Sequence, residues 1–92
     1  MYAVEKYKFM SISQQKLILT LYNNKKGLTY LDQKIYTNNR SFKIAMRELF
    51  NAGICDLKVT KKKSRFVNFY KITIAGMLFV ENVLIEFDRC NK

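Results

Sequence analysis

Ser41-Phe-Lys-Ile-Ala-Met-Arg-Glu-Leu-Phe-Asn-Ala-Gly-Ile-Cys-Asp-Leu-Lys-Val-Thr-Lys-Lys-Lys63 is the stretch on which the reading of this chain turns. Phe42, Ala45, Met46 and Leu49 recur at i, i+3, i+4 and i+7, the spacing of one helical stripe. The opposite face carries Arg40, Lys43 and Arg47. Gly53 supplies a left-handed stop. Beyond it Cys55, Leu57 and Val59 alternate with Asp56 and Lys58, the period of a strand over 54–60. The stretch therefore predicts a helix with an apolar back and a cationic front, followed by a strand that runs into a basic tip.

Working outward, Lys61-Lys62-Lys63-Ser64-Arg65 reads as a hairpin tip, and Phe66–Ile72 as the returning strand, rich in aromatic and β-branched residues. Upstream, Thr37-Asn38-Asn39 is a turn and cap cluster that opens the cationic helix, which runs to Ala52. Thr29 with Asp32 three residues on predicts a short helix over Tyr30–Tyr36, with Leu31 and Ile35 as its buried positions. Leu28 is a candidate for a very short first strand. A first helix is predicted from Ser13 to Asn24, with Ser11 and Gln14 spaced as a capping box, Leu17, Ile18, Leu21 and Tyr22 inward, and Gly27 as the stop. Residues 1–12 read as an arm with Tyr2, Tyr7 and Phe9, suited to packing on a partner.

Thr73 caps a last helix extending to about Asp88 within a C-terminal segment of residues 73–90. Ten of its residues 74–87 are apolar, more than one face. A helix apolar nearly all round must be covered on most sides, and a chain of 92 residues covers only one. Met77, Leu78, Val80, Leu84, Ile85 and Phe87 are the candidates for a face that packs on a second copy.

The order of helix, helix, helix, strand, basic tip, strand, helix predicts a single α+β domain over residues 1–92. Its class is a winged helix-turn-helix, with a three-helix core and a two-stranded wing over 13–72 and a C-terminal dimerisation helix over 73–90. The chain resembles the MarR/ArsR-type winged-helix regulators in two stretches. Leu49-Phe-Asn-Ala-Gly-Ile54 is similar to that family's Leu-x-x-x-Gly-hydrophobic end of the recognition helix. Tyr70-Lys-Ile-Thr-Ile-Ala-Gly76 is similar to its hydrophobic-Thr-x-x-Gly junction between wing and next helix. The small Lys/Asn/Tyr/Ile-rich chain also resembles winged-helix proteins of viruses that infect hyperthermophilic archaea.

The resemblance implies sequence-specific binding of double-stranded DNA by a homodimer, as a transcription regulator. The recognition helix would lie in the major groove and the wing on the backbone or minor groove. Carried over by position, Asn39, Arg40, Ser41, Lys43, Ile44 and Arg47 would meet the groove, and Lys61, Lys62, Lys63, Ser64 and Arg65 the backbone. The long extra helices of full-length MarR proteins and the metal-binding cysteine motif of ArsR members are absent from the sequence, so no metal, cofactor or small-molecule effector is expected.

Charge supports a polyanionic partner independently of any resemblance. The net charge is +10, and residues 34–71 contribute +8 of it. Arg40 and Arg47 are the best candidates for base contacts, because a guanidinium can donate two hydrogen bonds to guanine O6 and N7. The lysine-rich tip suits phosphates, which position a protein without reading sequence. The aromatics Phe42, Phe50, Phe69, Phe79 and Phe87 fall at periodic positions and are assigned to the core; Tyr30 and Tyr36 are assigned to packing, with phosphate contact through their hydroxyls the other option.

There is no histidine, and the seven carboxylates are scattered, so neither a proton shuttle nor a two-metal site assembles. The chain is expected not to be an enzyme. Cys55 and Cys90 stand 35 residues apart and make neither a disulfide framework nor a metal motif. Two readings stand for them: inert thiols, or a bridge between two copies at Cys90. A polar N-terminus without a leader, and an apolar stretch at 74–87 interrupted by Gly76, Glu81, Asn82 and Glu86, predict a cytoplasmic protein with no membrane span. Two further functions remain open: sequence-independent nucleic-acid binding, architectural or RNA-directed, and a winged-helix adaptor whose basic face meets an acidic protein.

Overall fold

Ser11 opens the first long helix of the computed structural model, which describes residues 6–8 and 10–90, with side chains up to Glu86. The Ser11 hydroxyl accepts from the Gln14 amide at 3.1 Å and starts α1, Ile12–Asn23. Only half of the expected capping box forms. The Gln14 side chain turns away and donates to Glu48 Oε2 at 2.6 Å, tying α1 to the next long helix. Leu17, Ile18 and Leu21 are fully buried, and Tyr22 is half-buried with its hydroxyl donating to Glu81. The helix stops at Asn23, before Gly27, so that glycine lies beyond the stop.

Leu28 exchanges two backbone hydrogen bonds with Tyr70, at 2.7 and 2.8 Å, and is a one-residue bridge where a short strand was expected. The helix expected over Tyr30–Tyr36 shrinks to a 3₁₀ turn, Tyr30–Asp32. Its start is as expected, since the Thr29 amide and hydroxyl both donate to Asp32 at 2.9 Å. Its continuation is replaced by one side chain. Gln33 is buried and its amide donates to the carbonyls of Tyr30 and Tyr36 while its oxygen accepts from the Tyr36 amide. A side chain that satisfies backbone groups competes with the helix for them. Leu31, expected to be buried, is 89% exposed as a result.

The second long helix, α2, spans Asn39–Asn51. Asn38 caps it by accepting from the amides of Arg40 and Ser41. At its end the Gly53 amide donates to Phe50 and the Ile54 amide to Leu49, with Gly53 at φ +78°. This is the Schellman arrangement, and its C-terminal αL position suits glycine because an added Cβ would strain it. Phe42, Ala45, Met46 and Leu49 are all buried, as their spacing predicts. Phe42 meets Tyr30, Tyr36 and Tyr70 edge-on, with centroids 5.4 to 6.3 Å apart. Phe50, assigned to the core from sequence, is instead exposed.

Cys55–Lys62 forms β1 and Arg65–Ile72 forms β2, paired antiparallel from Cys55 opposite Ile72 to Lys62 opposite Arg65. The tip is narrower than the five residues expected: Lys63 and Ser64 alone make the turn, both at positive φ, 47° and 65°. Only the base of β1 reaches the core, since Cys55 is buried while Leu57 and Val59 are exposed. With Leu28 on its other edge, β2 is the middle of the small sheet.

Thr73 joins β2 to the last helix, α3, Ile74–Cys90. Its hydroxyl donates to the Gly53 carbonyl at 2.6 Å and accepts from the Gly76 amide at 2.9 Å. Gly76 lies directly against the Ile54 carbonyl, where any Cβ would collide. Val80 and Val83 are buried on the inner side of α3. Tyr7, expected on an arm that packs on a partner, packs instead with Val83 and Phe79 of its own chain. Gln15 holds this segment by donating to the carbonyls of Tyr7 and Met10. Tyr2 and Phe9 lie outside the described residues. The whole is an α+β arrangement of helices and one antiparallel hairpin, compatible with a small winged-helix-like fold. Among the described residues no helix is long and apolar enough to cross a membrane.

Candidate nucleic-acid interface

Burying Phe42, Ala45, Met46 and Leu49 forces the opposite side of α2 outward. Asn39, Arg40, Ser41, Lys43, Ile44 and Arg47 are all exposed. Arg40, Lys43, Ile44 and Arg47 share the i, i+3, i+4, i+7 spacing, so three cations bracket one apolar side chain on a single stripe. Two carboxylates near this region have other partners, and a third sits across the hairpin from a lysine. Glu48 accepts from Gln14, Asp32 accepts from Thr29, and Asp56 stands opposite Lys71 in the hairpin.

Lys61, Lys62, Lys63, Ser64 and Arg65 are also exposed. The antiparallel register divides them. Lys61 pairs with Phe66 on one face of the hairpin, Lys62 with Arg65 on the other, and Lys63 and Ser64 form the turn. The five residues thus present charge to both sides of the hairpin rather than to one.

Between the stripe and the hairpin lies a cleft that sequence reasoning missed. Lys43, Arg47 and Phe50 from α2 face Leu57, Asn68 and Tyr70 from the strands. A neighbouring part, toward the start of α2, is bordered by Asn39, Lys43, Arg65, Phe66 and Asn68, with Leu31 at its edge. Asn68 donates to the Tyr70 hydroxyl at 3.5 Å. Burial pushes the Tyr70 phenol above its ordinary value, while the Asn68 hydrogen bond and the Arg47 charge pull it down. The signal was present in the alternation of β2: Phe66, Asn68 and Tyr70 share the face of Leu57 and Cys55. Periodicity alone left open which way that face turned.

The expected self-association face is only partly available. Val80 is 1% exposed and Met77 is half-buried against the core, so both serve the chain's own interior. Leu78, Leu84 and Ile85 are exposed, as is Ile74. Phe87 and Cys90 have side chains outside those described. Cys55 is buried with its thiol pushed up to about 12, first by burial and then by the Asp56 carboxylate, and it donates weakly to the Met46 carbonyl. Tyr30 donates its hydroxyl to the Thr37 carbonyl and stacks edge-on against Phe42, which is packing. Among the described residues no three of His, Cys, Asp or Glu gather where a metal would need them.

Comparison with protein-family models, with curated proteins and with solved structures finds no match to this chain.

Proposed function

We propose that this chain is a small winged helix-turn-helix protein that binds double-stranded DNA as a homodimer and regulates transcription. The carrying observation is α2, whose apolar stripe is wholly buried while Arg40, Lys43, Ile44 and Arg47 stand together on the open side. Such a helix fits the major groove, which admits a helix and displays distinct donor and acceptor patterns. Three further features support the reading. Leu28, β2 and β1 lie side by side in the order a wing requires, the hairpin beyond them is cationic, and the net charge is +10.

In this mechanism the wing cations hold phosphates and set register, while α2 reads base edges. Arg40 and Arg47 donate to guanine, and Ile44 suits the methyl group of thymine. Leu78, Leu84 and Ile85 on α3 join two copies, so that two recognition helices meet half-sites about 10 base pairs apart. Selection of bound duplexes from a random pool tests the proposal. A palindromic consensus is the expected result. Equal competition by random duplex and by RNA would instead make the protein a sequence-independent binder, and no duplex binding at low salt would leave the acidic-protein adaptor.

A further inference from the structure

Leu31 and Phe66 are the two most exposed large apolar side chains described, at 89% and 77%, and both line the cleft between the start of α2 and β2. Single exposed apolar residues need no explanation. Two that border one cleft do, particularly when Lys43 stands on its helical wall and Arg65, the first residue of β2, lies at its rim beside the turn. Asn39 and Asn68 add amide groups between them. The occupant such a cleft suits must be negative along its line and apolar at its flanks.

We propose that the cleft seats one sugar–phosphate strand of duplex DNA, with Lys43 on the helical wall and Arg65 at the rim by the turn as its phosphate partners and Leu31 and Phe66 against deoxyribose faces. This rests on the DNA-binding reading and adds a discrimination to it. A ribose placed there would bring its 2′-hydroxyl against Leu31 or Phe66, where it loses water without gaining a partner. The protein then distinguishes DNA from RNA at a named place by sugar chemistry, independent of base readout. A lipid headgroup shares the anionic chemistry. The mixed lining, with Lys43 on one wall and Arg65 at the rim, favours a strand that runs through over an acyl chain that needs an apolar enclosure.

Single ribonucleotides are moved one at a time along each strand of an otherwise deoxyribose duplex that the protein binds, and affinity is measured at each position. Wild-type protein is expected to lose affinity severalfold at one or two adjacent positions per half-site. Leu31→Ala and Phe66→Ala are expected to flatten that loss while leaving the salt dependence intact, and exposure of both side chains keeps the fold safe, which circular dichroism checks. Lys43→Ala and Arg65→Ala are expected to lower the salt slope by about 0.9 each. A flat ribonucleotide profile in wild type, or one unchanged in both apolar variants, overturns the inference and leaves DNA binding standing. Failure of wild type to bind any duplex overturns both. Binding to phosphatidylglycerol vesicles that Phe66→Ala abolishes, with duplex affinity unaltered, assigns the cleft to lipid and overturns it as well.

Discussion

Cys55 shows how one side chain ties the packing to solution behaviour. Its thiol is held at about 12, against an ordinary value of 9.0, so the folded chain keeps a proton that the unfolded chain releases. A raised folded value stabilises fully below the unfolded one and the gain is lost as pH climbs toward the folded one. Between pH 9 and about 12 that gain is lost progressively, by on the order of 1 kcal/mol per pH unit at most. Urea midpoints of wild type should therefore fall more steeply with alkaline pH than those of Cys55→Ala; parallel profiles would refute it. Buried tyrosines titrate with the same sign; Tyr7 is common to both proteins and cancels in the comparison, while Tyr70, which the Cys55 thiolate pushes further up, adds to the difference in the same direction. Arg40 and Arg47 act at the same scale through chemistry turned outward. Replacing either with alanine should relax base preference at one position, by about 1–3 kcal/mol if the contact is bidentate. Uniform weakening across all sequences would move that arginine from readout to phosphate binding.

At the scale of elements, the junction of α2, β1 and α3 is closed by backbone contact. Thr73 bonds both to the Gly53 carbonyl and to the Gly76 amide, and Gly76 abuts the Ile54 carbonyl. Alanine at 76 would gain roughly 1 kcal/mol of helix propensity. It would lose more, because the obstacle is backbone and cannot rotate away; Gly76→Ala should cost about 2–4 kcal/mol net, read by thermal or denaturant unfolding. The hairpin tip is the opposite case. Lys63 and Ser64 both hold positive φ, the geometry of a two-residue turn that favours Asn-Gly. Ser64→Gly should stabilise by about 0.5–1 kcal/mol and leave the salt slope of DNA binding unchanged, since no charge moves. The three principal helices and the hairpin were legible because each has a long period, a cap or a stop. The short helix over 30–36 was not, because its fate depended on Gln33, whose side chain reaches the carbonyls of Tyr30 and Tyr36 only once the core has formed around it.

For the molecule as a whole, the concentration of positive charge in residues 34–71 predicts a steep salt dependence. Each of Lys61, Lys62, Lys63 and Arg65 that contacts phosphate should, when changed to alanine, reduce the slope by about 0.9 and weaken all duplexes alike. Sedimentation of wild type should give twice the chain mass of 10.9 kDa, and Leu78→Glu with Leu84→Glu should return it to a monomer. A monomeric wild type at micromolar concentration would remove the dimer. Val80→Glu should instead unfold the chain, since that side chain is already within its own core. The sequence by itself determined the buried stripe of α2, its cationic front and the cationic hairpin, because period and charge are properties of local spacing. Only the tertiary structure decided which apolar residues of α3 remained outside, that Leu31 and Phe66 face one cleft, and that Phe50 is exposed. Those outcomes depend on how distant elements cover one another, and no local period encodes the covering.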